Sequence, residues 1–269
     1  MSGYRDFVIP KKNGKPRLIS APSPELKKTQ KNLLNGLYRI HRRLVLSMNL
    51  KDIQHGFIPG KNCVTAAKKH IGFKYTTQLD ISDFFNSCFM DLHFKDSNGI
   101  FKENFYKKYM KSLFHNEGYC AQGFVTSPIL ANIASLDAIL LVKNRLEMLF
   151  ENNIEESNSN SKKFAFTIYA DDIQISYNQK YLKKDIINIV ESSFLEYKFE
   201  INKRKTRTRV SDCGFRKILG INVGETEIRG TRRTMRKIRA ANHQGNFHSK
   251  GGLIAWSNCN KPKKLNTVI

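Results

Sequence analysis

Two runs of apolar and β-branched residues, Phe164 to Ile168 and Ile173 to Tyr177, alternate in a way that favours strand. Only Tyr169-Ala170-Asp171-Asp172 separates them, so the pattern predicts a β-hairpin with two acids at its tip. A third strand-like stretch, Tyr75 to Leu79, runs into Asp80. Near the start, Phe7 to Ala21 reads as two strands joined at Asn13-Gly14, a strong hairpin pair. Helical spacing takes over in Leu26, Leu33, Leu37, Ile40 and Leu44, behind a Ser23-Pro24 cap and first turn. A short helix is expected over Val64–His70. A long one, marked by Ile129, Ile133, Leu136 and Leu140, should start at Ser127-Pro128, and a third carries Ile186, Val190 and Phe194. The polar Ser/Asn-rich stretch from Glu155 to Lys163 predicts a mobile loop. The sum is an α+β chain with a βαββ core and no internal repeat.

Candidate chemistry sits at the ends of the predicted strands. Adjacent carboxylates repel, and a site that keeps Asp171 and Asp172 together suits a hard cation such as Mg²⁺, although paired acids also occur in ordinary solvated turns. Asp80, at the carboxyl end of its own strand, can face that tip across a sheet, or it can be a simple cap or turn acid. Carboxylates from separate strands that bridge two Mg²⁺ ions are a standard device for in-line displacement at a phosphoryl centre, and this becomes the preferred reading.

Charge changes the picture further. The chain carries 46 Lys and Arg against 23 Asp and Glu, a formal +23 over 269 residues. Self-repulsion makes that costly, and phosphate-rich polymers are the obvious partners. The cations are spread along the chain, as a groove tracking a duplex would require, and no apolar run or signal peptide suggests a membrane. Five widely spaced cysteines without a Cys-x-x-Cys pair give neither a zinc nor a disulfide pattern, and His243, His248 and Cys259 fit no common zinc spacing. A cytoplasmic protein with reduced thiols is expected.

Several segments, in order, resemble the motifs of reverse transcriptases. Leu79-Asp80-Ile81-Ser82-Asp83-Phe84-Phe85 is similar to palm motif A, Gln122-Gly123-Phe124-Val125-Thr126-Ser127-Pro128 with Ile129 to Asn132 to motif B, and Tyr169-Ala170-Asp171-Asp172 to motif C. Ile9 to Ile19 resembles the fingers hairpin, His55 to Gly60 the segment before motif A, Ile201 to Thr206 motif D, and Ile218 to Ile221 the primer grip. The resemblance implies a right-hand polymerase fold. Its fingers would span 1–75 with part of 95–120, its palm 76–220 with a ferredoxin-like βαββ core, and its small helical thumb 221–269. It implies Mg²⁺ (two ions) held by Asp80, Asp171, Asp172 and the backbone of Ile81, with dNTP substrates. Lys205 becomes a candidate acid for the pyrophosphate, or an ordinary backbone contact. Lys11, Lys12 and Arg17 would meet the triphosphate, and Asp83, Gln122 and Gly123 would border the nucleotide. Phe85 would be the steric gate against ribose, and Phe84, by alternation, a core residue.

Within that family the chain most resembles compact bacterial retron-type enzymes. Ala66-Ala67-Lys68-Lys69-His70 is similar to the retron Asn-Ala-x-x-His element, and Ile218-Leu219-Gly220 stands where those enzymes carry Val-Thr-Gly. No integrase, RNase H or endonuclease domain is expected. The implied partners are a structured noncoding RNA template, an RNA–DNA hybrid and an effector protein, in antiphage defence. A basic cluster of Arg232, Arg233, Arg236 and Lys237 would clamp an RNA stem. The alternatives are an RNA-binding protein on an inactive polymerase fold, a group II intron-like enzyme of general template use, and an RNA-dependent RNA polymerase, which would prefer a small or polar residue at position 85.

Overall fold

The computed structural model describes residues 3–11, 14–94, 103–153, 163–211 and 214–257. The chain opens with a two-stranded antiparallel hairpin, β1 (Tyr4–Pro10) and β2 (Pro16–Pro22), followed by the long helix α1 (Pro24–Ser47). Next come α2 (Cys63–Lys68), β3 (Tyr75–Asp80), α3 (Met90–His93) and α4 (Glu103–Leu113), then α5 (Ser127–Ala134) and α6 (Leu136–Glu151). The second acidic segment lies between β4 (Ala165–Tyr169) and β5 (Asp172–Tyr177), followed by α7 (Lys183–Glu196) and β6 (Arg207–Val210). A three-stranded meander, β7 (Arg216–Ile218), β8 (Ile221–Val223) and β9 (Ile228–Gly230), leads into α8 (Arg232–His243) and α9 (Phe247–Ser257).

The central sheet has the order β4-β5-β3-β6, antiparallel throughout, which is the ferredoxin-like arrangement of two split β-α-β units. Its two faces differ in chemistry. Leu79, Ile173, Ile175 and Ile168 join the main core with Ile129, Val142, Leu146, Ile186, Val190 and Phe194 from α5, α6 and α7. Each such burial contributes about 1.5–3 kcal/mol. A buried polar set lies elsewhere on the sheet. His70 pairs with Ser176 Oγ at 2.8 Å and Thr167 Oγ1 at 2.7 Å. Burial, then the nearby Arg216 charge, pushes this imidazole down to about 3, so it stays neutral. Arg216, itself buried, donates to the carbonyls of His70 at 2.7 Å and Tyr75 at 3.2 Å, which fastens the β7–β9 meander to the sheet.

Local sequence explains most boundaries. Ser23 caps α1, its Oγ accepting from Leu26 N at 3.2 Å, with Pro24 in the first turn. The expected long helix after Ser127-Pro128 is instead two helices that break at Ser135, and the position before α5 is Thr126, whose hydroxyl makes no cap bond. The break is a tertiary effect. Ser135 Oγ donates to Asn132 O and receives a bond from Gln54, so α5 ends in a buried polar knot. The predicted loop at 155–163 lies outside the described residues except for Lys163, as do Lys12, Asn13, Cys213 and Cys259. Among the described residues no helix is long and apolar enough to cross a membrane.

Candidate active site

The acids meet at one end of the central sheet. Tyr169 pairs with Asp172 to close the β4–β5 hairpin, which leaves Ala170-Asp171 as a two-residue turn with Ala170 at φ +57°. Across the sheet Asp80 is the register partner of Asp172, and Ile81 N donates to Asp171 O at 2.9 Å. Two segments distant in sequence are therefore tied together by main chain, and the three carboxylates are brought to one edge.

Burial and mutual repulsion disfavour the charged forms of Asp171 and Asp172. Burial raises the Asp171 carboxyl above its ordinary range, and the Asp80 charge adds to this against the lowering effect of a backbone hydrogen bond. Burial, then the charges of Asp171 and Asp80, pushes Asp172 up to about 6. Lys205 answers part of this charge: its Nζ donates to Asp80 Oδ1 at 2.9 Å and Oδ2 at 2.8 Å, and that bond raises its own pKa. Lys205 reaches Asp80 because Asn202 N donates to Asp80 O at 2.8 Å and Ile201 bridges Ile81, laying the 201–205 loop along the end of β3. Hard oxygen donors with raised pKa values fit a divalent cation in chemistry. Among the described residues, however, no three acidic, imidazole or thiol side chains are gathered around one point.

Above the acids lies a cleft of about 530 Å³. Lys11, Lys15 and Arg17 of the β1–β2 hairpin contribute to its lining, together with Asp80, Ile81, Asp83, Phe85, Gln122, Asp171 and Lys205 among others. Lys11 Nζ comes within 3.5 Å of Asp83 Oδ1, a weak exposed contact between the hairpin and the sheet. Both rings border the cleft, but Phe84 is buried at 4 % exposure whereas Phe85 is only partly covered. Strand alternation is not what separates them, because residues 82–87 are turn, with Asp83 at φ +40°.

Gly123 is held tightly by its own backbone surroundings. At φ +120° an added Cβ would come within 2.5 Å of Ser20 O, while Ser20 N donates to Gln122 O at 2.8 Å. Its close approach is to β2, and it joins the N-terminal hairpin to the cleft. The four expected thumb cations divide between two grooves on α8. Arg232 and Arg236 line a groove of about 640 Å³ with Arg229 and Arg239, whereas Arg233 and Lys237 line another with Lys217. Helical geometry turns each successive residue by about 100°, which separates the two pairs.

The sequence matched residues 55–60 to the segment before motif A without a chemical role, and residues 54–57 brace the acidic turn. Gln54 forms a parallel bridge to Ile168, His55 N donates to Ile168 O at 2.8 Å, and Asn132 Nδ2 holds Gly56 O at 2.9 Å. A Cβ on Gly56 would sit 2.4 Å from Ala170 N, so only glycine lets this segment lie against the acidic turn. Phe57 borders the cleft with its ring centroid 6.1 Å from that of Phe85. The His-Gly-Phe triplet is visible in the sequence, but its target is reached only through the fold.

Comparison with known proteins agrees with this geometry. The sequence profile of the reverse transcriptase (RNA-dependent DNA polymerase) family matches residues 9–231, and the chain belongs to that family. Within it, the resemblance is to the bacterial retron type. The chain is 27 % identical to the retron Mx65 reverse transcriptase of Myxococcus xanthus over 263 residues, covering 90 % of this chain and 56 % of that protein. It is 26 % identical to the retron Ec73 enzyme of Escherichia coli over 232 residues, covering 81 % and 68 %. The retron Ec48 enzyme, also of E. coli, is 25 % identical over 251 residues, covering 87 % and 56 %. The chain thus spans little more than half the length of the Mx65 and Ec48 proteins. Among solved structures, Candida albicans telomerase superposes with a TM-score of 0.56 at 13 % identity, over 84 % of this chain and 45 % of that one. Candida tropicalis telomerase gives 0.55 at 14 %, over 86 % and 55 %. These likenesses establish the polymerase fold.

Proposed function

We propose that this protein is an RNA-directed DNA polymerase that copies a dedicated, structured noncoding RNA. The observation that carries this reading is the joining of Asp80 to the Asp171-Asp172 turn beneath a cleft bordered by cations and by Phe85. Asp80 and Asp171, the Ile81 backbone and the adjacent Asp172 would hold two Mg²⁺ ions. When bound, such ions activate the primer hydroxyl and neutralise the triphosphate and its leaving group. The protein's own part is placement and charge, since phosphoryl transfer leaves little covalent chemistry to side chains. Lys11, Lys12 and Arg17 would bind the triphosphate, Arg by its forked donors. Phe85 would exclude the ribose 2′-hydroxyl, and Gln122 would border the nucleotide. Lys205, which keeps its proton beside Asp80, would protonate pyrophosphate.

The RNA–DNA hybrid would leave along the thumb, where α8 offers phosphate contacts on both sides. An effector protein, a role in antiphage defence and a cytoplasmic location are carried from the retron resemblance. Primer extension on an RNA template with Mg²⁺ and dNTPs tests the chemistry. Asp171→Ala should abolish synthesis while RNA binding, which rests on phosphate contacts, stays close to wild type. Undiminished synthesis would remove the acids from the mechanism. Sequencing of RNA that copurifies from the native host tests the partner: one enriched transcript supports it, and a diffuse mixture rejects it.

A further inference from the structure

We infer that the outward face of α1 is a docking ridge for duplex RNA, separate from the cleft. The inference rests on the proposal that the partner is a folded RNA. Gln30, Leu37, His41 and Val45 are the buried side of α1. The other side presents Lys28, Lys31, Arg39, Arg42 and Arg43, all exposed, and none of them lines the cleft. Residues 28, 32, 35, 39, 42 and 46 fall along one stripe at helical spacing.

Folding alone does not account for this face. Lys28 and Lys31, Arg39 and Arg42, and Arg39 and Arg43 are like charges at three- and four-residue spacing, which weakens a helix. None of the five cations has an ion-pair partner among the described residues. The one acid near them in sequence is Glu25, in the first turn. Gly36 makes a second, independent observation. It sits in the middle of a 24-residue helix, is exposed, and an added Cβ would meet nothing within 4 Å. Glycine there weakens the helix, and no neighbouring atom requires it. Its remaining physical use is to let something outside the protein approach the helix backbone.

The layout suits one kind of partner. Lys31 and Arg39 are eight residues apart, about 12 Å along the axis, and between them lie exposed Asn32, Asn35 and Gly36. Cations at both ends of this low, neutral window can meet phosphates on the two rims of a groove. The asparagine amides between them can donate to and accept from ribose 2′-hydroxyls. The minor groove of A-form RNA is wide and shallow and displays those hydroxyls, whereas that of B-DNA is narrow, about 6 Å, and lacks them.

The test uses the full chain and two probes, a 20-base-pair RNA hairpin and the B-DNA hairpin of matching sequence, titrated at several salt concentrations. The variants are Gly36→Leu and a combined Lys28→Gln, Lys31→Gln, Arg39→Gln, Arg42→Gln, Arg43→Gln protein. The combined variant should flatten the log K against log salt slope for RNA by about 4, from the loss of four or five phosphate contacts. Gly36→Leu should raise the thermal midpoint yet weaken RNA binding severalfold, a pairing of signs that general destabilisation cannot produce. Both variants should extend a short primer–template at the wild-type rate. An unchanged RNA slope would overturn the ridge. Equal losses for DNA, or a matching loss of binding to phosphatidylserine vesicles, would overturn its assignment to RNA. If the wild-type protein fails to extend primers, the polymerase reading falls while the α1 result stands by itself.

Discussion

Replacing Asp172 by Asn should stabilise the metal-free protein at neutral pH while impairing synthesis. In the folded chain the Asp172 carboxyl holds its proton up to about pH 6, against an ordinary value of 3.8. Between those values the folded state binds more protons than the unfolded one, so stability falls as pH rises from about 4 to about 6. Two pKa units at about 1.36 kcal/mol each give roughly 3 kcal/mol, and partial solvent screening of a half-buried group reduces this to about 2 kcal/mol. Asn keeps the shape and removes the charge, so Asp172→Asn should recover that amount at pH 7, which is about 4–8 °C in midpoint for a chain of this size. Asp6 and Asp52, whose pKa values are lowered, act in the opposite sense but equally in both proteins. The assay is thermal melting in EDTA at pH 7 and at pH 4, where the two proteins should converge, followed by melting in MgCl₂, which should stabilise wild type more than the variant. A midpoint that is unchanged at pH 7, or raised equally at pH 4, would refute the electrostatic account of the acidic edge.

Phe85→Ala should admit ribonucleotides in a dNTP-against-rNTP competition, while Phe84→Ala should instead cost about 3–5 kcal/mol in denaturant unfolding; an unaltered sugar preference in Phe85→Ala would place the gate elsewhere. Gly56→Ala should lower kcat sharply at nearly unchanged RNA affinity, because the new methyl overlaps Ala170 N in the acidic turn; full activity would show that the turn tolerates displacement. Arg216→Ala should destabilise the fold by about 1–3 kcal/mol, since the buried carbonyls of His70 and Tyr75 lose their donor; equilibrium unfolding measures it, and an unchanged free energy would mean that water replaces the guanidinium.

Wherever local chemistry decides, this chain could be read directly. Ser23-Pro24 started α1 as expected, the N-terminal stretch formed β1 and β2, and the alternating runs around Asp171-Asp172 became β4 and β5. Reading the acids as the ends of strands followed from the same alternation, and helical spacing marked the face of α7 that carries Ile186, Val190 and Phe194 into the core. The tertiary structure decided what depends on contacts between distant segments. Ser135 breaks the expected long helix because Gln54, far off in sequence, binds it. Gly56 matters through a turn more than a hundred residues away, and Lys205 finds Asp80 only because loop 201–205 lies along β3. The pKa of Asp172 likewise depends on burial and on Asp80 across the sheet. Propensity and periodicity act over a few residues, whereas close approach, burial and charge coupling act between whichever residues the fold brings together, and these make the acidic edge a site.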